Sequence, residues 1–286
     1  MASHASTELP ATSPIKLLWV NPVNLTDYDR PIANLIAAVK LPNVEVEVVS
    51  LELPSPVRLT NLEWRVFESQ IWFPVTAIAR YAATNGFDGY AIGCFYDTAL
   101  DEAREISGDA VVCGPCQSAL QIASNLCNRF SIVVGMEKWK VQMESRVRHY
   151  GYADKLASFR VIGRHVDQFQ QDTEATEAAI RRCVTEAIEI DRAEAVILGC
   201  TIEFGFYAKL QKEFGVPIID AVYACYKATE AAALNKVQFG WKPSRLYSMA
   251  PPDEARLEAS GIWNAQPPIG NRITVPRTRG SEFPSI

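Results

Sequence analysis

Two short stretches of the chain, residues 88–94 and 194–200, follow one pattern. Each begins with an acidic residue, continues through apolar residues and ends in Gly-Cys, at Cys94 and Cys200 respectively. An amphipathic stretch and a second apolar run follow each cysteine at matching distances, which predicts a duplicated unit of structure. A cysteine at the end of a buried strand lies at the carboxyl edge of a parallel sheet, where open α/β folds bind ligands. The sequence therefore predicts one site with a thiol from each half of the chain.

Strand-like apolar runs alternate with helix-like segments through most of the chain. The predicted strands of the first half span residues 16–20, 44–50, 90–94 and 110–113, and those of the second half span 130–135, 159–162, 195–200 and 216–219. Alternation of this kind predicts right-handed βαβ crossovers and parallel sheets. We therefore expect an α/β fold with two pseudo-symmetric lobes, each a roughly four-stranded parallel sheet flanked by helices, and an active site in the cleft between them.

The predicted lobes do not follow the chain order strictly. Residues 15–127 are assigned to the first lobe together with 221–239, because a helix near the start of that second segment can pack back on it. Residues 128–220 form the second lobe. Residues 1–14 are polar and are expected to be disordered. Residues 240–286 are rich in proline and are expected to form an irregular C-terminal extension.

Two features of the first lobe bear on the site. A loop at residues 53–61 carries two prolines and leaves the carboxyl end of the second predicted strand. Loops in that position often cover a binding site, and we expect the same here. The next segment predicts a long helix from about residue 62 to residue 85, with a kink at Pro74.

Charge and cysteine content narrow the class of partner. The formal net charge is −5, from 28 basic and 33 acidic residues, without a long basic run, which argues against nucleic acid or an anionic membrane surface as a partner. The sequence shows neither a signal peptide nor an apolar run of membrane-spanning length. Seven cysteines, an odd number, are typical of reduced thiols. We predict a cytoplasmic protein that acts on a small molecule, and a homo-oligomer is compatible with this sequence.

Two opposed thiols suit the inversion of a carbon that lies next to a carbonyl group. One thiolate removes a proton from one face while the other thiol delivers a proton to the opposite face. A free cysteine has a pKa of about 8.5, and we expect the helices that follow Cys94 and Cys200 to lower it. Thr201 and Asn24 are candidates to hold the developing enolate. No metal and no organic cofactor is required. The structural alternative is that both cysteines are simply small buried hydrophobic residues.

The residues around both cysteines match a known family. Residues 93–100 read Gly-Cys-Phe-Tyr-Asp-Thr-Ala-Leu, which fits the Gly-Cys-Phe-x-Asp-x-x-Leu pattern of hydantoin racemases. Residues 21–24 read Asn-Pro-Val-Asn where that branch usually has Asn-Pro-Asn-Thr, and residues 198–201 read Leu-Gly-Cys-Thr, similar to the second cysteine motif of the superfamily. Over roughly residues 15–233 the chain resembles the aspartate/glutamate/hydantoin racemase superfamily, in its hydantoin racemase-like branch.

This resemblance implies a cofactor-independent racemase or epimerase with Cys94 and Cys200 as the catalytic acid and base. Hydantoins, allantoin and related cyclic amides are the implied substrates. Amino-acid racemases of the superfamily have Asn-Thr after the first cysteine, whereas this chain has Phe95-Tyr96, which argues against a free α-amino acid. The residues expected to bind the substrate are Asn21, Asn24, Phe95, Asp97, Gln117, Ser118, Gly135, Thr201 and Glu203. For Asp97 and Glu203 a second interpretation stays open, in which each carboxylate caps a helix.

Other functions remain compatible with the sequence. Relatives on the same cysteine scaffold perform decarboxylation or double-bond isomerisation. Cys113-Gly-Pro-Cys116 also has the spacing of a dithiol redox motif. A catalytically silent ligand-binding protein is the third alternative, because two lobes around a cleft also suit a sensor.

Overall fold

The computed structural model describes residues 14–278 apart from residues 55, 57, 262, 264 and 265. The predicted disorder of residues 1–14 therefore falls, except for Pro14, outside the described residues. The strands are β1 Ile15–Asn21, β2 Val44–Leu51, β3 Gly89–Ile92, β4 Val111–Cys113, β5 Phe130–Val134, β6 Leu156–Val161, β7 Ala195–Leu198, β8 Ile218–Asp220 and β9 Ile269–Val275. The helices are α1 Asp29–Val39, α2 Arg65–Glu68, α3 Trp72–Thr84, α4 Leu100–Ile106, α5 Pro115–Leu126, α6 Lys140–His149, α7 Thr173–Glu189, α8 Tyr207–Phe214, α9 Ala221–Phe239 and α10 Glu254–Ser260.

The strands form two sheets with equivalent orders. The first sheet has the order β4-β3-β1-β2-β9, and the second has the order β8-β7-β5-β6. Strands β1 to β4 pair in parallel, as do β5 to β8. These strands are short apolar runs because helices cover both faces of a parallel sheet. The predicted α/β fold with two pseudo-symmetric lobes is confirmed.

The duplication extends to the backbone beside each cysteine. The Gly93 N–H donates to the Val20 carbonyl, and the Gly199 N–H donates to the Val133 carbonyl, both at 2.8 Å. A Cβ atom added to Gly93 would lie 2.7 Å from the Val20 oxygen, and one added to Gly199 would lie 2.6 Å from the Val133 oxygen. Because the opposing atom is backbone in both cases, only glycine allows this close approach.

Helices α5 and α9 each pack on the sheet opposite to the one that contains the strand before them. Four of the six buried apolar residues of α9 pack with the apolar side chains of β1 and β2: Val222, Cys225, Tyr226 and Ala233. The buried side of α5 packs instead with β5 and β7 of the second sheet. The assignment of the α5 residues to the first lobe was wrong, because chain order associates α5 with the strand before it, whereas its apolar face meets the strands after it.

The C-terminal extension is more regular than its proline content suggests. Strand β9 pairs antiparallel with β2 and forms the edge of the first sheet. Its residues alternate between partly buried and exposed positions, the pattern of an edge strand with one covered face. The prediction of an irregular extension is therefore wrong for β9 and α10. Across the described part of the chain, no helix is both long and apolar enough to cross a membrane.

The predicted helix at residues 62–85 is divided. Helix α2 ends at Glu68, a 3₁₀ turn follows at Ser69–Ile71, and α3 begins at Trp72. Pro74 lies in the first turn of α3, where a missing N–H leaves no hydrogen bond unmade. The break therefore precedes the proline and does not coincide with it. One result of the break is that Glu68, at the end of α2, is buried with only 4% of its surface exposed.

Replacing Gly199 by alanine tests the close approach of Gly199 to the Val133 carbonyl. We expect Gly199→Ala to lower the free energy of unfolding by about 1–3 kcal/mol, because the new methyl group would press on the Val133 carbonyl. Gly163→Ala is the control, since its Cβ would meet nothing within 4 Å and would cost only the positive φ of that residue. Urea denaturation measures both. Because the positive φ alone costs about 1–2 kcal/mol in Gly163→Ala, the result that would contradict the argument is an unchanged free energy of unfolding in Gly199→Ala.

Candidate functional site

A cleft with a cavity volume of about 70 Å³, open to solvent, lies where the carboxyl ends of the two sheets face each other. Both Cys94 and Cys200 line it, one from each lobe. Three more of the predicted site residues, Asn21, Phe95 and Thr201, line it as well. The expectation that matched strand ends place the two thiols at one cleft agrees with this geometry.

Each cysteine begins a turn of the same form. The Asp97 N–H donates to the Cys94 carbonyl at 2.9 Å, and the Glu203 N–H donates to the Cys200 carbonyl at 3.0 Å. A cross-lobe hydrogen bond joins the two turns, because the Thr201 hydroxyl donates to the Gly93 carbonyl at 2.9 Å. The turns therefore hold the thiols toward the cleft from opposite lobes, with Thr201 committed to the contact between them.

The electrostatic environment of the thiols differs from the sequence-based expectation. Burial is the main cause that raises the pKa of Cys94 to about 12, the nearby Glu68 carboxylate contributes to this rise, and hydrogen bonds from Tyr96 and Thr98 oppose it. Burial likewise raises the pKa of Cys200 well above its usual value, with Glu203 as the next cause. The prediction of lowered pKa values was wrong for this structure. Because α4 and α8 begin several residues after the cysteines, the thiols do not lie at helix N-termini.

Asp97 caps a helix rather than lining the cleft. Its carboxylate accepts the N–H groups of Cys116 and Gln117, both at 2.9 Å, at the start of α5. It also accepts the Tyr150 hydroxyl at 2.9 Å from the second lobe. Burial raises the pKa of Asp97 to about 6, although these donors oppose the shift. The sequence left open that Asp97 caps the helix that follows it, α4, but the helix that it caps is α5.

Glu203, in the matching position after Cys200, has no equivalent partner. Its side chain is fully buried, and neither carboxyl oxygen makes a hydrogen bond of good geometry. The backbone N–H groups of Cys200 and Gly199 lie close enough to lower its pKa in part, but burial raises it well above the usual range. Helix α8, which follows Glu203 in the chain, has no side-chain cap, and Glu203 does not line the cleft. Glu203 lies behind Cys200 as a fully buried carboxyl group.

The side chains of Asn21 and Asn24, near the end of β1, form hydrogen bonds with other residues of the protein. The Asn21 side chain accepts from the Trp19 indole at 2.8 Å and donates to Asp29 at 2.5 Å. The Asn24 side chain accepts the Leu59 N–H at 2.5 Å, and the Asn24 N–H donates back to the Leu59 carbonyl at 3.1 Å. Asn24 does not line the cleft. Its contacts fasten the loop at residues 53–61, the end of which lines the cleft as predicted.

The remaining predicted binding residues lie outside the cleft. The Gln117 side chain accepts from the Arg104 guanidinium at 2.5 Å, and the Ser118 hydroxyl donates to the Gly114 carbonyl at 2.7 Å. Gly135 also does not line the cleft. A Cβ atom there would lie 2.2 Å from the Trp139 ring, so glycine makes room for the tryptophan. Trp139 in turn lines the cleft.

Several cleft residues escaped the sequence analysis because no motif marks them. Tyr28, Trp139 and Met143 supply much of the apolar wall. Glu63 also lines the cleft, although it is 5% exposed, and its carboxylate meets the ring of His165 at 2.6 Å across the lobes. The loop prediction pointed to the neighbourhood of Glu63, but the pairing with a histidine of the other lobe has no sequence signal.

The Cys-Gly-Pro-Cys motif does not have the form of a reactive dithiol. All seven cysteines of the chain are free. Cys116 is fully buried, and burial raises the pKa of Cys113 and Cys116. Dithiol exchange depends on an accessible thiol with a lowered pKa. Among the described residues, no group of three or more His, Cys, Asp or Glu side chains has the arrangement to hold a metal ion.

Comparison with known proteins identifies the family. The family model described as Asp/Glu/Hydantoin racemase matches residues 19–229. A hydantoin racemase of Pseudomonas sp. (strain NS671) is 36% identical over 169 residues, which are 59% of this chain and 66% of that protein. A hydantoin racemase of Paenarthrobacter aurescens is 31% identical over 180 residues, 63% of this chain and 74% of that protein. The structure of allantoin racemase from Klebsiella pneumoniae superimposes with a TM-score of 0.76 and 25% identity, covering 84% of this chain and 94% of that chain.

Two buried aspartates should respond in opposite ways to the same substitution. Asp220 accepts both cap hydrogen bonds on Oδ1, while its buried Oδ2 makes no hydrogen bond of good geometry, and the Gly205 N–H only partly offsets its burial. Asp220→Asn keeps the cap and removes a buried charge that lacks a well-formed partner, so we expect it to raise the free energy of unfolding at pH 8 by about 1 kcal/mol. Asp97 accepts on both oxygens, so Asp97→Asn should lower it by about 1–3 kcal/mol. Urea denaturation at pH 8 compares the two variants. A change of the same sign in the free energy of unfolding of both would contradict the different hydrogen bonding described for Asp97 and Asp220.

The stability of the wild type should also depend on pH through these groups. Burial raises the pKa of Asp97 and of Asp220 to about 6 in the folded chain, against about 3.9 in the unfolded chain. The folded state therefore binds more protons between about pH 4 and pH 6, and the stability from this uptake is complete below pH 4 and lost as pH rises through 6. Asp220→Asn should flatten that part of the profile.

Proposed function

Because the chain belongs to the Asp/Glu/hydantoin racemase family, we propose that it is a cofactor-independent racemase or epimerase in which Cys94 and Cys200 act as opposed acid and base. The observation that carries the proposal is the placement of one thiol from each lobe, at matched strand ends, on the same cleft. A catalyst that inverts a carbon needs a proton acceptor on one face and a donor on the other. Two thiols on facing lobes supply both.

The proposed reaction moves two protons and leaves the total number of protons on the enzyme unchanged. One cysteine, as the thiolate, takes the proton of the carbon next to the carbonyl group. The electron pair passes into the carbonyl group as an enolate, which N–H groups of the cysteine turns can stabilise. The other cysteine then gives its S–H proton to the opposite face of the carbon. The thiolate and the thiol have exchanged places, and the reverse reaction uses the same steps.

The raised pKa values suit this chemistry in one respect and limit it in another. A thiolate whose conjugate acid has a pKa of about 12 is a strong base toward a weakly acidic C–H group. The same pKa keeps the thiolate fraction small at neutral pH. Since burial raises the pKa of both cysteines, the second thiol stays protonated while the first reacts. The reactive state, with one thiolate and one thiol, is therefore a minor fraction of the enzyme at neutral pH, and the state with two thiolates is rarer still.

The lining of the cleft favours a neutral substrate with an apolar substituent. The aromatic side chains Tyr28, Phe95, Tyr96 and Trp139 line it, and no lysine or arginine does so among the described residues. The carboxylate of a free amino acid or of a malonate would meet no cationic side chain there. A 5-substituted hydantoin, allantoin or a related cyclic amide carries no such charge. This argument favours racemisation of a cyclic amide over decarboxylation, which requires a carboxylate substrate.

The seven free cysteines also agree with a reducing compartment, and we place the proposed activity in the cytoplasm.

Cysteine replacement tests the two-thiol mechanism. We expect Cys94→Ser and Cys200→Ser each to lower racemisation by about 100-fold or more, because serine is a far weaker base than a thiolate. Single enantiomers of allantoin and of 5-alkyl and 5-aryl hydantoins are incubated in D₂O. Loss of the α-proton signal by NMR reports exchange, and chiral chromatography reports inversion.

Cys113→Ser is the matched control for those variants. Cys113 also follows a short apolar strand, yet it does not line the cleft. Its replacement should leave racemisation within about threefold of the wild type. Full activity in Cys94→Ser, or loss of activity in Cys113→Ser but not in Cys200→Ser, would contradict the proposed roles. No turnover of any of these compounds by the wild type would remove cyclic amides as the substrate class.

The pH dependence of the rate gives a second test. Because burial raises the pKa of Cys94 to about 12, the thiolate fraction grows with pH throughout the accessible range. After subtraction of the enzyme-free rate, we expect kcat/KM to rise about tenfold per pH unit between pH 7 and pH 9. A plateau near neutral pH would show instead that a thiolate is already formed in the resting enzyme.

A further inference from the structure

A chain of hydrogen-bonding groups leads away from Cys94 on the side opposite the cleft. The Thr98 hydroxyl lies 2.8 Å from Oε1 of Glu68 and 3.7 Å from the Cys94 sulfur, within the reach of a hydrogen bond to sulfur. Thr98 is fully buried and Glu68 is 4% exposed. Neither residue lines the cleft. The sequence analysis assigned no role to either of them.

A hydroxyl group has one hydrogen and two lone pairs, so Thr98 cannot donate to both neighbours at once. At 2.8 Å the carboxylate is the stronger acceptor and takes the hydrogen. The Thr98 oxygen then remains free to accept the S–H of Cys94. This order gives a continuous path from Cys94 S–H through the Thr98 O–H to the Glu68 carboxylate.

The far end of the path reaches a second, outer pocket. Glu68 lines this pocket together with Arg65, Gln142, Arg146 and His149. Gln142, from the second lobe, donates a short hydrogen bond to Oε2 of Glu68 and so holds the carboxylate in place. Glu68 therefore stands between the buried Thr98 hydroxyl and a pocket that opens to solvent independently of the cleft.

Within the described part of the chain, no equivalent path leads away from Cys200. The residue four positions after Cys94 is Thr98, whereas the residue four positions after Cys200 is Phe204, which packs against the apolar core. The contact to the Cys200 sulfur comes from the backbone N–H of Ile202 at 3.5 Å. Glu203 behind it is fully buried and does not line the outer pocket. The duplicated fold thus carries this arrangement on one side only.

We infer that Thr98 and Glu68 form a proton relay that connects Cys94, but not Cys200, with water of the outer pocket while a substrate occupies the cleft. In the transfer, Cys94 gives its S–H proton to the Thr98 oxygen as Thr98 gives its own proton to Glu68. The products are the Cys94 thiolate, an intact Thr98 hydroxyl and a protonated Glu68. Glu68 then releases the proton to water in the outer pocket, and the reverse sequence reloads the thiol. This inference rests on the proposed two-thiol function.

The relay predicts that the two substrate enantiomers differ in deuterium exchange. In D₂O, a proton taken by Cys94 leaves through the relay and is replaced by deuterium, so that the same enantiomer returns labelled. A proton taken by Cys200 stays until it returns or the substrate leaves. Each enantiomer of 5-isobutylhydantoin is incubated separately, and chiral chromatography with mass detection gives the ratio of labelled starting enantiomer to inverted product. We expect this ratio to be higher for one enantiomer.

Three variants assign the difference to the relay. Thr98→Val removes the hydroxyl at nearly constant shape, and Glu68→Gln keeps the acceptor to Thr98 but cannot take up a proton. Each should lower the higher ratio at least about fivefold, toward that of the other enantiomer. Thr98→Ser restores the hydroxyl and should restore the ratio, which a merely structural role of Thr98 does not predict. Equal ratios in the wild type, or an unchanged ratio in Thr98→Val, would overturn the relay while racemisation itself remained.

A measurement without substrate separates failure of the relay from failure of the proposed function. Alkylation of Cys94 by iodoacetamide is followed against pH by peptide mass mapping. Once the thiolate has formed, the Thr98 hydroxyl carries the proton received from Cys94 and donates to the sulfur, which lowers the pKa of Cys94, whereas the Glu68 carboxylate raises it. Thr98→Val should therefore shift the alkylation profile to higher pH, and Glu68→Gln should shift it to lower pH. Unchanged profiles would overturn the relay even if no hydantoin is racemised.

Discussion

Three buried carboxylates of the first lobe each meet a polar side chain of the second lobe. The pairs are Glu63 with His165, Glu68 with Gln142, and Asp97 with Tyr150. A carboxylate removed from water is costly unless it finds such partners. The two lobes must therefore dock in one relative position to satisfy all three groups. That position is also the one in which the ends of β3 and β7 face each other across the cleft.

The duplicated backbone carries unequal chemistry. Both cysteines follow a glycine that must approach a neighbouring carbonyl, and both begin the same turn. Three residues later, Asp97 caps α5, whereas Glu203 is a carboxyl group without a hydrogen-bond partner. A symmetric scaffold is suited to acting on both faces of a carbon. The differences between the two turns give each thiol different neighbouring carboxyl groups and hydrogen-bond partners.

Burial is the dominant influence on the ionisable groups of the site. It raises the pKa of both cleft cysteines, of Asp97 and of Glu203. Burial of the thiols makes a thiolate a stronger base, at the cost of a small thiolate fraction in the resting enzyme. A helix N-terminus would have had the opposite effect on the thiols. The turns that separate Cys94 from α4 and Cys200 from α8 prevent that effect.

Most of the scaffold could be predicted from the sequence, because local apolar runs and turn residues indicate the buried strands and their order along the chain. The Gly-Cys strand ends alone indicated a two-sided thiol site, and both thiols do line one cleft. The prediction failed for Gln117 and Ser118, whose side chains contact Arg104 and Gly114 outside the cleft. It failed because the direction of a side chain near the start of a helix depends on the hydrogen-bond partner that lies within its reach in the folded chain.

By itself, the sequence determined the duplicated α/β architecture and the position of each thiol along it, since hydrophobic periodicity and glycine requirements are local. Tertiary structure decided the rest: the packing of α5 on the second sheet, the pairing of β9 with β2, and the thiol environments that Glu68 and Thr98 help to form. These features depend on groups far apart in the chain that become neighbours only when both lobes bury their polar side chains together. No local pattern records that requirement, because its energy arises only after water has been excluded.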